Sequence, residues 1–195
     1  DKSYFDDVAF IGDSVSLMLK YYALKGVLGD ADFFTQASYS LTNALNQPLN
    51  ASNSTHPSYQ GERMYAEDAV AACGAKKVYI MLGMNDINYG VDYAVRSYKT
   101  FVEKIKAKSP DVEIIIQSMT PMRNSSNVLS KNLNNEKIRE YNKKLEALCR
   151  AEGWYFVDVQ SIMWEEDGSL GVTQELFESF DGEAVMTEED GGSEA

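Results

Sequence analysis

Five short apolar runs, each separated from the next by a segment long enough for a helix, constrain this chain more than any other feature. They are Val8–Ile11, closed by Gly12, then Asp32–Thr35, Lys77–Leu82, Val112–Gln117 and Trp154–Val159. The longest are almost continuously apolar, where a strand with one wet face would alternate. That pattern predicts strands of a parallel sheet covered on both faces. Helices are predicted between them over Val15–Leu24, Tyr65–Cys73, Val91–Lys108 and Asn134–Ala151. Gly74 caps the second, Ser109-Pro110 stops the third, and the fourth ends near Gly153. Strands alternating with helices of this length imply right-handed crossovers. The expected fold is a three-layer α/β/α domain with a five-stranded parallel sheet of flavodoxin-like order 2-1-3-4-5.

The charge is unevenly placed. The chain of 195 residues carries a net charge of −12. Trp164 to Ala195 hold 11 acids and no base, and the other 163 residues hold 19 acids and 18 bases. The reading is a domain over 1–170, followed by an acidic stretch over 171–195 that forms a solvated tail or an atypical end of the domain. No basic stripe points to nucleic acid, and no apolar run is long enough for a membrane span. Cys73 and Cys149 read as free thiols. With one histidine and no cysteine pair at metal-ligand spacing, a metal site is not expected, and no organic cofactor is implied.

Two strand ends carry chemistry. The first apolar run passes directly into Gly12-Asp13-Ser14 and a helix, which sets the Ser14 hydroxyl at the sheet edge beside a helix N-terminus, where backbone N–H groups favour negative charge. The third run ends in Gly83-Met84-Asn85-Asp86, which brings Asn85 to the same edge, and its amide can donate to an oxyanion. Taken singly, each is as readily a helix cap or an Asx turn. Two long polar loops, Asn46–Gln60 and Pro121–Asn132, are placed at this edge too, where open α/β sheets bind ligands.

Together, Gly-Asp-Ser after the first strand and Gly-x-Asn-Asp after the third resemble two of the conserved blocks of the SGNH, or GDSL-like, hydrolase family, over roughly residues 4 to 170. The resemblance implies that Ser14 is the nucleophile, that Asn85 lies in the oxyanion hole, and that the Ser14 N–H is a second donor. A glycine of another block falls here on Ser40 or Leu41, so Ser40 is the candidate for that backbone donor and a side chain replaces the expected glycine. The family also carries a C-terminal Asp-x-x-His that supplies the general base. Residues 160–195 contain no histidine, Asp181 is followed three residues later by Ala184, and Asp158 reads as a structural turn residue.

The sole histidine, His56, lies in the first long loop and is the candidate substitute base, expected on the rim of the pocket and out of hydrogen-bond reach of Ser14. The expected activity is hydrolysis of an acyl or acetyl ester of a carbohydrate or lipid through an acyl-Ser14 intermediate, weak for want of the histidine. The alternative is a module of the same fold that binds an acylated glycan or a partner protein without turning it over. Since many members of the family act outside the cell, the expected location is extracellular or at the cell surface.

Overall fold

The computed structural model describes residues 2–24, 26–123, 129–163 and 170. After a 3₁₀ turn at Lys2–Phe5, the elements run β1 (Val8–Gly12), α1 (Ser14–Ala23), β2 (Asp32–Thr35), α2 (Leu41–Asn46), β3 (Ser58–Tyr59), β4 (Glu62–Arg63) and α3 (Ala66–Cys73). They continue as β5 (Lys77–Met81), α4 (Val91–Lys108), β6 (Glu113–Gln117), α5 (Asn135–Glu152) and β7 (Tyr155–Val157). The main sheet is parallel with the order β2-β1-β5-β6-β7, which is the expected 2-1-3-4-5 when the small β3-β4 hairpin is left out of the count.

The two faces of the sheet are built differently. Ala9, Ile11, Phe34, Val78, Ile80, Ile114 and Ile116 point to one face and form a fully buried core with Ala69 and Val70 of α3, Tyr98, Phe101 and Ile105 of α4, and Ile138, Tyr141 and Leu145 of α5. Burying an aliphatic or aromatic side chain of this size contributes about 1.5–3 kcal/mol. The apolar residues of α4 and α5 recur every three to four positions, so each helix lays one stripe on the sheet and leaves its charges to solvent. On the other face Phe10 stacks on Phe33 at 4.9 Å and on Tyr79 at 5.1 Å. There α1 crosses over Gly12 with Ser16 against it. A Cβ at Gly12 would collide with Ser16 and the Met81 carbonyl, so only glycine lets α1 start this close to the sheet.

Three elements are absent from the sequence reading. Helix α2 has only six residues, and the β3-β4 hairpin turns on Gln60 and Gly61, both with positive φ (51° and 84°), as a two-residue hairpin loop requires. The 3₁₀ turns at Ile87–Tyr89 and Gln160–Ile162 are local caps. Both cysteines are free, Cys73 half-buried and Cys149 buried. The acidic stretch 171–195 lies outside the described residues.

Candidate active site

The C-terminal ends of β1, β2 and β5 meet at one edge. Ser14 is the first residue of α1 and is exposed. Asp13 is the helix N-cap, with its carboxylate accepting from the Val15 N–H at 3.0 Å. It is 3% exposed. Burial pushes its carboxyl up to about 6, with nearby Asp86 adding to the effect and the Val15 N–H opposing it.

Asn85 crosses from the end of β5 to this corner. Its Nδ2 donates to the Tyr39 carbonyl at 3.0 Å and reaches Asp13 Oδ2 at 3.5 Å. The first bond anchors one amide hydrogen. The second is a long contact, which leaves that hydrogen able to turn to a stronger acceptor. Ser14, Tyr39 and Asn85, contributed by three different strand ends, are therefore tied together through Asp13 and one side-chain amide.

Asp86 holds the β2 side in place. Its carboxylate accepts from the Leu41 N–H (2.9 Å), the Thr42 N–H (2.9 Å) and the Thr42 hydroxyl (2.7 Å). Burial raises its pKa while the two N–H groups pull it down. Of the two residues between which the sequence left the backbone donor, one is engaged here. The Leu41 N–H is spent on Asp86. Among the described residues no acceptor takes the Ser40 N–H, while the Ser40 hydroxyl caps α2 by accepting from the Asn43 N–H at 3.0 Å. Ser40 has φ −141° and ψ 160°, extended backbone that any residue adopts, so this position does not require a glycine. Sequence reasoning took Asp86 only as a turn residue. The signal for its role was a buried-strand end followed by two consecutive Asx residues, one of which must find donors when buried.

Two core tyrosines hold the central strand from beneath. Tyr98 donates to the Ile80 carbonyl and Tyr141 to the Leu82 carbonyl, both at 3.0 Å. Gly83 has φ 121°, and a Cβ there would strike the Tyr141 ring. The Gly83-Met84-Asn85 turn is thus shaped by glycine and by a helix of the core together.

His56 departs from its expected place. It is not on the rim: it is 2% exposed. Its ring packs edge-on against Tyr65 at 4.9 Å and Tyr39 at 5.9 Å. Its Nε2 pairs with the Gln47 carbonyl at 2.8 Å. The loop is polar yet folds inward because its own side chains satisfy it: Thr55 N donates to Gln47 Oε1 at 2.9 Å, and Asn43 Nδ2 to Thr55 Oγ1 at 2.7 Å. Among the described residues no hydrogen bond joins His56 to Ser14. Nδ1 of His56 and the Tyr39 hydroxyl are both buried with no partner there. Asp158 is a cap, accepting from the Ser161 N–H at 3.1 Å and the Ser118 hydroxyl at 3.3 Å.

The model of the GDSL-like lipase/acylhydrolase family matches residues 10–172, which take in Ser14, Ser40 and Asn85. The chain belongs to that family. Its members are hydrolases of esters, which makes this an esterase or acylhydrolase by family. Solved structures share the fold. A candidate acylhydrolase from Bacteroides fragilis NCTC 9343 is 17% identical with a TM-score of 0.62, the match covering 84% of this chain and 73% of that one. A GDSL-like lipase from Bacteroides thetaiotaomicron VPI-5482 is 16% identical with a TM-score of 0.61, covering 84% and 74%. A carbohydrate esterase family 3 protein from Talaromyces cellulolyticus is 16% identical with a TM-score of 0.51, covering 85% and 87%. At these identities the likeness is one of fold alone. A search of curated proteins finds no match. Among the described residues no helix is long and apolar enough to cross a membrane, and no three His, Cys, Asp or Glu side chains are grouped to hold a metal ion.

Proposed function

We propose that this chain is a serine esterase that removes an acyl or acetyl group from a carbohydrate or lipid, with Ser14 as the acyl acceptor. The observation that carries this reading is the Asn85 amide. It bonds to Tyr39 and approaches Asp13, which gathers the Ser14, Ser40 and Asn85 ends around an exposed hydroxyl. Ser14 Oγ attacks the ester carbonyl and gives up its proton to solvent water. The carbonyl oxygen becomes an oxyanion met by the Asn85 amide and by the N–H groups of Ser14 and Ser40. The alcohol leaves with a proton, and water then releases the acid from Ser14. The substrate range comes from the similar folds, which include an acylhydrolase, a lipase and a carbohydrate esterase.

The step this site performs poorly is removal of the Ser14 proton. The chain's one imidazole is buried with its Nε2 on the Gln47 carbonyl. A serine hydrolase without its base retains roughly 10³–10⁴-fold catalysis over water through the oxyanion donors and binding. Turnover by the 195-residue chain is therefore slow. Release of acetate from an acetylated oligosaccharide tests this, because unactivated esters barely react with imidazole in solution. Added imidazole should raise the enzymatic rate, and Ser14→Ala should remove the whole of that increase. An imidazole response that survives Ser14→Ala would overturn the proposed role of Ser14, and full-speed turnover without imidazole would show that the site has a base after all. The buried histidine also favours a second reading, a pocket that binds an acylated glycan without cleaving it. Binding with no acetate release, even in imidazole, would select it.

A further inference from the structure

A cleft of about 580 Å³ starts at Ile87, one residue past Asp86, and runs along the first turns of α4 to the N-terminal turns of α5. Its volume lies within the range of small-molecule sites. The Tyr89 ring lies at its mouth, 68% exposed, and meets Tyr93 edge-on at 5.8 Å. A large aromatic ring held by a second ring while most of its surface stays in water is a stacking platform.

The charges around the cleft are paired unevenly. Glu140 is paired with Lys137 at 2.8 Å and with Lys144 at 3.0 Å, and Lys144 also holds Asp92 at 2.7 Å. Two carboxylates and two ammonium groups thus neutralise one another. Asp92 is the i−4 neighbour of Arg96 and its natural helical partner, but it is drawn away to α5. Among the described residues no ion pair or hydrogen bond engages the exposed Arg96 guanidinium on the cleft wall. One planar cation is left over, with the geometry that grips a carboxylate in two parallel bonds.

The polar lining is also directional. Thr42 gives its hydroxyl hydrogen to Asp86, so the 3.1 Å contact between Thr42 Oγ1 and the Tyr93 hydroxyl has Tyr93 as donor. The Tyr93 oxygen is left as an acceptor for a ligand hydroxyl, and the Asn132 side chain adds an amide to the wall. Such a lining, mostly polar, suits hydroxyls and not a hydrocarbon tail.

We propose that this cleft is a subsite for a sugar ring bearing a carboxylate, with the ring on Tyr89, the carboxylate on Arg96 and a ring hydroxyl on Tyr93. Resting on the esterase reading, it makes the substrate an esterified acidic oligosaccharide whose uronate unit docks here while its ester faces Ser14. The test is calorimetric titration of the whole chain with trigalacturonate and, as the neutral control, galactotriose. Trigalacturonate should bind about tenfold more tightly than galactotriose, the margin one charge-assisted pair provides. Arg96→Ala should erase that margin and leave galactotriose binding unchanged, while Tyr89→Ala should weaken both. Equal binding of the two sugars, a margin that survives Arg96→Ala, or no binding of either would overturn the subsite. The two readings fail separately. Carboxylate-selective binding without Ser14-dependent acetate release leaves the subsite and removes the esterase. Ser14-dependent release without selective binding does the reverse.

Discussion

The strand-end corner and the loop around His56 are both polar in sequence, both close to the candidate site and both substantially buried, yet they are built for opposite ends. In the corner, Asp13, Asn85, Asp86 and Thr42 satisfy one another and leave the Ser14 hydroxyl exposed. Around His56, a ring able to act as a base is turned inward between two tyrosines, with its Nε2 fixed on a backbone carbonyl. One region holds polar groups in place around an exposed hydroxyl. The other uses a titratable ring as packing. Proximity to a site and chemical competence are thus separate properties, and the hydrogen-bond partner of each nitrogen decides between them.

Substitutions can break this comparison. Asn85→Ala should have the largest effect, lowering acetate release by about 10²–10³-fold, as loss of one oxyanion donor does. Since Asn85 is exposed, the melting temperature should change little. A steady-state rate beside a thermal melt checks both, and an unchanged rate would remove Asn85 from the oxyanion hole. His56→Ala should do the opposite. It empties a buried site and strands the Gln47 carbonyl, at a cost of about 3 kcal/mol read by urea denaturation. The rate per folded molecule should stay the same, and a hundredfold loss at full folding would make the loop catalytic after all.

The smallest effect is a pH dependence of stability. The folded Asp13 carboxyl, raised from 3.8 to about 6, keeps its proton where the unfolded chain has lost it. The folded state then binds more protons, so stability is full below the lower value, falls as pH rises through this window, and levels off above it. A shift of this size corresponds to roughly 2–3 kcal/mol. Chemical denaturation from pH 3.5 to 8 should show that decline superimposed on other titrations, and Asp13→Asn should flatten it. A mutant that keeps the full slope would place the effect elsewhere, with Asp86 the first candidate.

The sheet was legible because each strand is a compact apolar run and each long helix has an amphipathic stripe. Val91–Lys108 appears in the structure with the boundaries predicted for α4. The Ser14 and Asn85 positions were legible because a strand running into Gly-Asp-Ser or Gly-x-Asn-Asp leaves those side chains few places to go. What escaped was set by contacts distant in sequence. Helix α2 has six residues and is held at its start by Asp86, 45 residues on from Leu41. The inward fold of the His56 loop depends on Gln47 and Asn43 bonding across a segment whose composition reads as solvated surface. Which of Ser40 and Leu41 keeps its N–H free depends on which one Asp86 engages, and no local pattern contains that information.

Tyr141 gives the site its time scale. It fills the space above Gly83 and donates to the Leu82 carbonyl from a helix buried against the sheet. The turn that carries Asn85 therefore cannot swing without lifting α5 from the core, and such a movement belongs to unfolding, not to the nanosecond motions of a surface loop. In the proposed reaction the ester comes to a donor already in place. The entropy of ordering that donor was met when the chain folded and does not recur with each turnover.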